Sequence, residues 1–285
     1  MKKNFKYFSL VFILLLLFIT GCGKKDPEKQ LKDAIEKTEN ANSVKMKFGL
    51  NYGIEMQGIS MNMSFTGDQD IYKENEESIS AHGTYKIGTF GMNQSSESYV
   101  TLKDGYLYTY VKDEDGQWTY SKIEYKNNND YKDEVIKVLD SATKVKSEKS
   151  DKKGYEKLSV TLNIDGVLKQ LDGVVPKDSI DEINKQLDKT SIKDFKITIY
   201  LKDGYISIVE MNLDDILKNM LKDISDEYDD INFNGLLTIV MYDYNKVSKI
   251  EIPDDVINNA KEAEKDFNFN VNDFMNSNNM DELFW

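Results

Sequence analysis

The sequence contains no arginine; all 37 of its basic residues are lysine. It therefore has no guanidinium fork to grip a phosphate or carboxylate through two parallel hydrogen bonds. Its one cysteine, Cys22, leaves no partner for an intramolecular disulfide. One cysteine and one histidine fall short of the three or four nitrogen and sulfur ligands of a zinc site. The histidine, His82, alternates with Ser80, Thr84 and Lys86 on the face opposite Ile79 and Ala81. Nothing near it in sequence supplies the third group of a Ser-His-Asp device, so it reads as a surface histidine on a solvated strand. No GxGxxG, P-loop, GxSxG or HExxH motif is present. The acidic runs KDEDGQW and SDEYDDIN lack the ligand spacing of a calcium loop and read as a turn and a solvated face. Acids are too widespread for any pair to stand out as a glycosidase dyad. The expectation is a protein that is not an enzyme, with no cofactor and no metal.

What is present begins with charge. The 50 acidic residues outnumber the lysines and give a net charge of −13, which argues against nucleic acid, whose phosphates need clustered cations. The chain opens with MKKNFKYF, three lysines and no acid, and continues as SLVFILLLLFIT. A cationic start and an apolar run too short to span a bilayer read as a secretory signal peptide over residues 1–21. The stretch Ile19-Thr20-Gly21-Cys22 resembles the lipobox of bacterial lipoproteins. That resemblance implies cleavage before Cys22 and a diacylglyceryl thioether on its sulfur, with residues 22–26 as the acylated cysteine and a short tether. Cleavage would remove three lysines and take the net charge from −13 to −16. Each buried methylene contributes ~0.8 kcal/mol, so two acyl chains hold firmly where one binds reversibly. The expected place is the outer face of the cytoplasmic membrane. Abundant lysine and asparagine with little alanine suggest an AT-rich, low-GC Gram-positive genome.

Asp26-Pro27 reads as an N-cap and first helical residue, followed by a helical stripe of Leu31, Ala34, Ile35, Thr38 and Ala41 that ends near Asn42. Val44, Met46, Phe48, Leu50, Tyr52, Ile54 and Met56 then fall at every second position, as in a half-buried strand. After a turn at Gln57-Gly58, Ile59, Met61, Met63 and Phe65 continue the alternation. Strands follow with Ile79, Ala81, Tyr85 and Ile87, at 99–102, at 106–111 and through QWTYSKI, a meander of about six. Residues 130–143 read as a helix and the lysine-rich stretch to Gly154 as a solvated turn. Leu158, Val160, Leu162 and Ile164 read as a strand. A helix near 178–188, strands at 195–202 and 205–213, a helix at DDILKNMLKDI, and strands at LLTIVMYDY and KVSKIEIP follow. Pro253-Asp254 opens a last helix with Val256, Ile257, Ala260 and Ala263. LKDGY occurs at 102–106 and at 201–205, which fits either a duplicated half-domain or two independent Asp-Gly hairpins. No stretch rich in proline, glycine or serine divides the chain, so residues 27–267 are expected to form one domain, followed by an asparagine-rich tail at 268–285.

This order, with IEIP before the last helix, resembles the LolA-like lipoprotein superfamily, which includes lipid carriers of the LppX and LprG type. It looks closest to clostridial and bacillar lipoproteins of unknown function. The resemblance covers roughly residues 27–267. It implies an α+β fold: a large antiparallel sheet curled into an open half-barrel, with helices packed on its concave side and room between them for acyl chains. It brings no catalytic residues. The tail and the acidic helix near 214–225 are departures from the pattern.

Two apolar groups are candidate ligand contacts. Met46, Met56, Met61 and Met63 share strand faces with Phe48 and Phe65, and methionine suits an adaptable apolar lining. The same residues fit an ordinary core beneath a helix, and the sequence leaves both open. Tyr106, Tyr108 and Tyr110 share one strand face, where they either stack on sugars or headgroups or simply stabilise the sheet. The leading expectation is a tethered extracytoplasmic protein that binds a lipid or other apolar ligand. The rival is a surface module that docks a protein or envelope polymer through exposed tyrosines and acids.

Overall fold

The computed structural model describes residues 26–56, 59–75, 78–89, 92–113, 115–124, 138–139, 141–171, 181, 192–214, 218 and 232–263. The signal peptide and Cys22, residues 130–137 and 140 of the helix read at 130–143, the helices read at 178–188 and 214–224 (apart from Asp181, Asp214 and Lys218) and the tail at 268–285 lie outside these residues.

Helix α1, Pro27–Glu39, starts where the sequence places it: the Asp26 carboxylate accepts the Glu28 N–H at 3.1 Å, and Pro27 opens the first turn. Ten strands then follow in two series. β1 (Ser43–Met56), β2 (Ile59–Asn75), β3 (Ser78–Thr89), β4 (Met92–Lys103), β5 (Tyr106–Lys112) and β6 (Trp118–Glu124) form an antiparallel meander. β7 (Ala142–Glu148), β8 (Glu156–Asn163), β9 (Asp194–Lys202) and β10 (Tyr205–Asn212) form a second, with helix α2 (Ile164–Leu171) between β8 and β9. The long strand β11 (Asn232–Tyr242) joins the two, pairing with β1 on one side and β10 on the other. Helix α3 (Asp254–Asn259) and the two-residue β12 (Lys261–Glu262) complete the described chain. The result is a single 12-stranded open sheet, β12-β6-β5-β4-β3-β2-β1-β11-β10-β9-β8-β7, antiparallel except where β12 meets β6, and its end strands do not pair with each other. This is the open half-barrel of an α+β protein with a helix on its concave face.

Both LKDGY segments are hairpins whose two central residues have positive φ, 53° and 75° at Asp104-Gly105 and 52° and 78° at Asp203-Gly204. Asp-Gly is the pair that tolerates this type I′ geometry, whose twist matches the flanking strands. α1 packs across one half of the concave face. Its Leu31 and Ala34 bury against Leu158, Val160, Leu162, Ile197, Ile199, Leu201 and Ile206 of β8, β9 and β10. The Thr38 hydroxyl accepts the Ile206 N–H at 3.1 Å, and Lys37 Nζ donates to the Asp203 carbonyl at 2.6 Å. Lys37 also lies 4.4 Å over the Tyr205 ring, which stacks on Tyr244 at 4.3 Å. The Tyr244 hydroxyl donates to the Ile206 carbonyl, and burial pushes its phenol well above the usual range.

Four strand readings change. β4 begins at Met92, seven residues before the expected Tyr99, because MNQSSES pairs fully with β3 despite carrying little apolar signal. Residues 142–148, expected to start as helix and continue as turn, form β7, the edge strand of the described sheet, held by β8 on one side only among the described residues. Ile164 opens α2 rather than closing β8; the Asn163 side chain accepts the Gly166 N–H at 3.0 Å and stops the strand. KVSKIEIP, expected as a strand, has no ladder partner among the described residues. It begins a strap that crosses the convex face of the sheet. The Asn245 and Val247 N–H groups bond the Ser43 carbonyl (2.8 Å) and hydroxyl (3.0 Å), Lys249 pairs with Glu74 at 2.8 Å, and the Ala263 N–H reaches the Tyr120 carbonyl at 2.7 Å. Val256 of α3, 3% exposed, is buried along that path.

Candidate functional site: the open half of the concave face

Ladder register decides which side chains share a face. From β1, the concave positions are Val44, Met46, Phe48, Leu50, Tyr52 and Ile54. Their partners are Gln69, Gly67, Phe65 and Met63 on β2 and Met241, Ile239, Leu237, Gly235 and Phe233 on β11. The same parity continues through Ala81, Gly83, Tyr85 and Ile87 to Val100, Ser98, Ser96 and Gln94, then to Leu107, Thr109 and Val111, and to Ile123, Ser121 and Thr119. Across β1 to β6 and β11, the only charged residue at a concave position is Lys73, at the end of β2. In a chain with 31% charged residues, this surface with a single charge at its margin is the strongest chemical pattern in the fold.

The two halves of that face differ. Under α1 it is a sealed core. Over β2 to β6 it leaves large apolar side chains open: Phe65 is 38% exposed, Ile87 41%, Val111 36% and Ile123 61%. Three rings form a cluster at its centre. Phe48 lies 5.0 Å from Phe65 and 5.7 Å from Tyr85, and Phe65 stacks on Tyr85 at 6.3 Å with 9° between planes. Tyr52 stacks on Phe233 at 6.3 Å, and burial raises its phenol pKa. Near the ring cluster the polar groups on this face are neutral. Ser98, buried, donates to the Tyr85 hydroxyl at 3.2 Å, and Ser96 donates to the Lys112 carbonyl at 2.9 Å.

Of the residues singled out in the sequence, Met46, Phe48, Met63 and Phe65 come together here. Met56 and Met61 hold the ladder positions opposite Ile59 and Ile54; their side chains lie outside those described. Tyr106, Tyr108 and Tyr110 are not part of this surface. They pair with Lys103, Thr101 and Tyr99 on β4, which places them on the convex face. Tyr110 is only 8% exposed, and Lys122 Nζ sits 3.8 Å over the Tyr106 ring. His82 is convex too, as its alternation suggested. Its Nε2 lies 2.9 Å from Glu97 Oε1 and its ring stacks on Tyr99 at 4.5 Å. Burial, with Glu97 and Asp255 nearby, raises the Tyr99 pKa. The sequence reading did not single out Tyr85, Ile87, Val111, Ile123 or Phe233. Tyr85 and Ile87 stand in the β3 alternation and were findable; the others become neighbours only through pairing.

No group of three or more metal-binding side chains and no helix long and apolar enough to cross a membrane occurs among the described residues. A family model matches residues 26–261. The chain belongs to the family of unknown function DUF6612. The DUF6612 match runs from the N-cap of α1 to the first residue of β12, so it takes in the helix, the described sheet up to that point and the strap. No curated protein matches the chain. Among solved structures, it is similar to LprF from Mycobacterium bovis, with 15% identity over 80% of this chain and 98% of that one, at a TM-score of 0.44. It is also similar to a DUF1329 family protein from Desulfovibrio piger (10% identity, 79% and 96% of the chains, TM-score 0.26). A beta-barrel-like DUF1849 protein from Brucella abortus follows (11%, 71% and 100%, TM-score 0.21).

Proposed function

We propose that this DUF6612 chain is a non-enzymatic binding protein that holds a lipid or other apolar ligand on the open half of its concave face. On this reading Cys22 carries the acyl anchor, and the short tether keeps the folded domain at the outer face of a Gram-positive cytoplasmic membrane. The observation that carries the proposal is the concave surface, uncharged apart from Lys73 at the end of β2, with Phe65, Ile87, Val111 and Ile123 left open upon it. Covering a large apolar side chain contributes roughly 1.5–3 kcal/mol when burial is complete, so four partly exposed ones supply a useful fraction of a binding energy. An absence of buried charge also removes the desolvation cost that an apolar ligand would otherwise impose. The rival, docking through convex tyrosines, has less support: Tyr110 is buried, and Lys122 lies over the rings of both Tyr106 and Tyr108, at 3.8 and 5.3 Å.

The test is native and denaturing mass spectrometry on one preparation of residues 23–285, purified from cells without the anchor cysteine. The expected result is a lipid-sized mass that departs on denaturation and is missing from a Met63→Asp, Phe65→Asp double variant. A clean protein mass that stays clean after incubation with membrane lipid extract would overturn the proposal.

A further inference from the structure

The centre of the open face is already filled by the protein's own rings. Gly67 on β2 stands between Phe48 of β1 and Tyr85 of β3 in the ladder, and both rings lean over it. A methyl group built on Gly67 would collide with Cε1 and Cζ of Phe48 and come within 2.9 Å of Cδ1 of Tyr85. One built on Gly83 would lie 2.7 Å from the Tyr85 hydroxyl oxygen. The rings thus rest on bare backbone at two buried glycines, with the Tyr85 hydroxyl pinned by Ser98 at 3.2 Å. Meanwhile the neighbours Phe65 and Ile87, in register with each other on β2 and β3, stay open to solvent. Phe48 and Tyr85 thus cover bare backbone while the adjacent Phe65 and Ile87 are left exposed.

Resting on the binding reading above, we propose that Phe48 and Tyr85 are a displaceable lid: they cover the Gly67–Gly83 floor when no ligand is bound and yield it to an unbranched alkyl chain. The occupant's chemistry follows from the surroundings. A floor without side chains accepts a narrow chain, and walls without charge favour an uncharged one. Both rings turn about side-chain torsions alone, so exchange needs no movement of the ladder. A lid of this kind lowers apparent affinity by the fraction of time it is open, so removing it strengthens binding, whereas removing an ordinary contact weakens it.

That difference in sign is the test. Full-length protein in membranes isolated from expressing cells is photolysed with palmitate carrying a mid-chain diazirine, and labelled peptides are quantified for each variant. Phe48→Ala is expected to raise labelling of the β2–β3 residues several-fold over the unsubstituted protein, and Phe65→Ala to lower it. Phe48→Leu, which keeps the strand apolar but cannot reach over Gly67, guards against a misfolded alanine variant and is expected to raise labelling too. If the Phe48 variants label at or below the unsubstituted level, the lid is overturned while the binding reading stands. If no variant labels the concave face, both fall.

Discussion

Asp151 shows how a short loop acquires an electrostatic role. Its carboxylate accepts a hydrogen bond from its own backbone N–H and another from the Tyr200 hydroxyl at 3.0 Å, with Lys157 3.4 Å away. These donors favour the ionised form and hold the carboxyl below the usual range. Tyr200 is itself buried beneath the loop, with Lys152 4.4 Å over its ring. Because the folded pKa is depressed, the stabilisation is complete above the unfolded value and is lost as pH falls through the folded one. Asp151→Asn is therefore expected to lower the melting temperature at neutral pH, by an amount that shrinks as the pH drops below about 4. A melting difference that stays constant with pH would assign the effect to something other than the charge. None of this was legible in DKKGYEK, which reads as a solvated turn; the partner that gives Asp151 its role is 49 residues away.

Alternation reports one-sided burial, and at the scale of elements that is both its strength and its limit. β1 and the first part of β2 are legible because one face of each is apolar there; β2 runs on to Asn75, past Phe65, where its alternation fades at Gly67 and Gln69. KVSKIEIP alternates for a different reason. Val247, Ile250 and Ile252 are half-buried between exposed residues because the segment lies flat on the sheet, not because it pairs within it. The first half of β4 was missed for the opposite reason: its concave positions are Gln94, Ser96 and Ser98, so pairing exists without apolar contrast. β7 was missed because ATKVKSE carries its lysines as protection. Lys144 and Lys146 are exposed on a strand that pairs on one side only among the described residues, and charge there discourages a second molecule from adding a strand. Replacing both with valine is expected to leave the fold intact and to produce concentration-dependent self-association in sedimentation velocity. A double variant that remains as monodisperse as the parent would show that the edge is guarded by other means.

Across the whole molecule, the concave face divides its labour between stability and exposure. Leu158 is fully buried under α1, whereas Phe65 stands open. Leu158→Ala is expected to cost about 2–5 kcal/mol in urea unfolding, and Phe65→Ala only about 1 kcal/mol; comparable losses would mean that both halves are core. The methionine and phenylalanine part of the site was legible because a strand's own parity puts Met46 and Phe48 together. The tyrosines' separation from it was not, since it depends on Val100 pairing with Thr109, and a one-residue slip would reverse the faces. The same ladder also sets an order in time. β1 is among the first strands made, yet it lies inside the sheet, between β2 and β11, and Lys45 meets Tyr242. A ribosome must therefore deliver almost two hundred further residues before that side of β1 finds its neighbour. Closing so long a loop makes folding slow, and until then the nascent protein presents a long unpaired edge at its very centre.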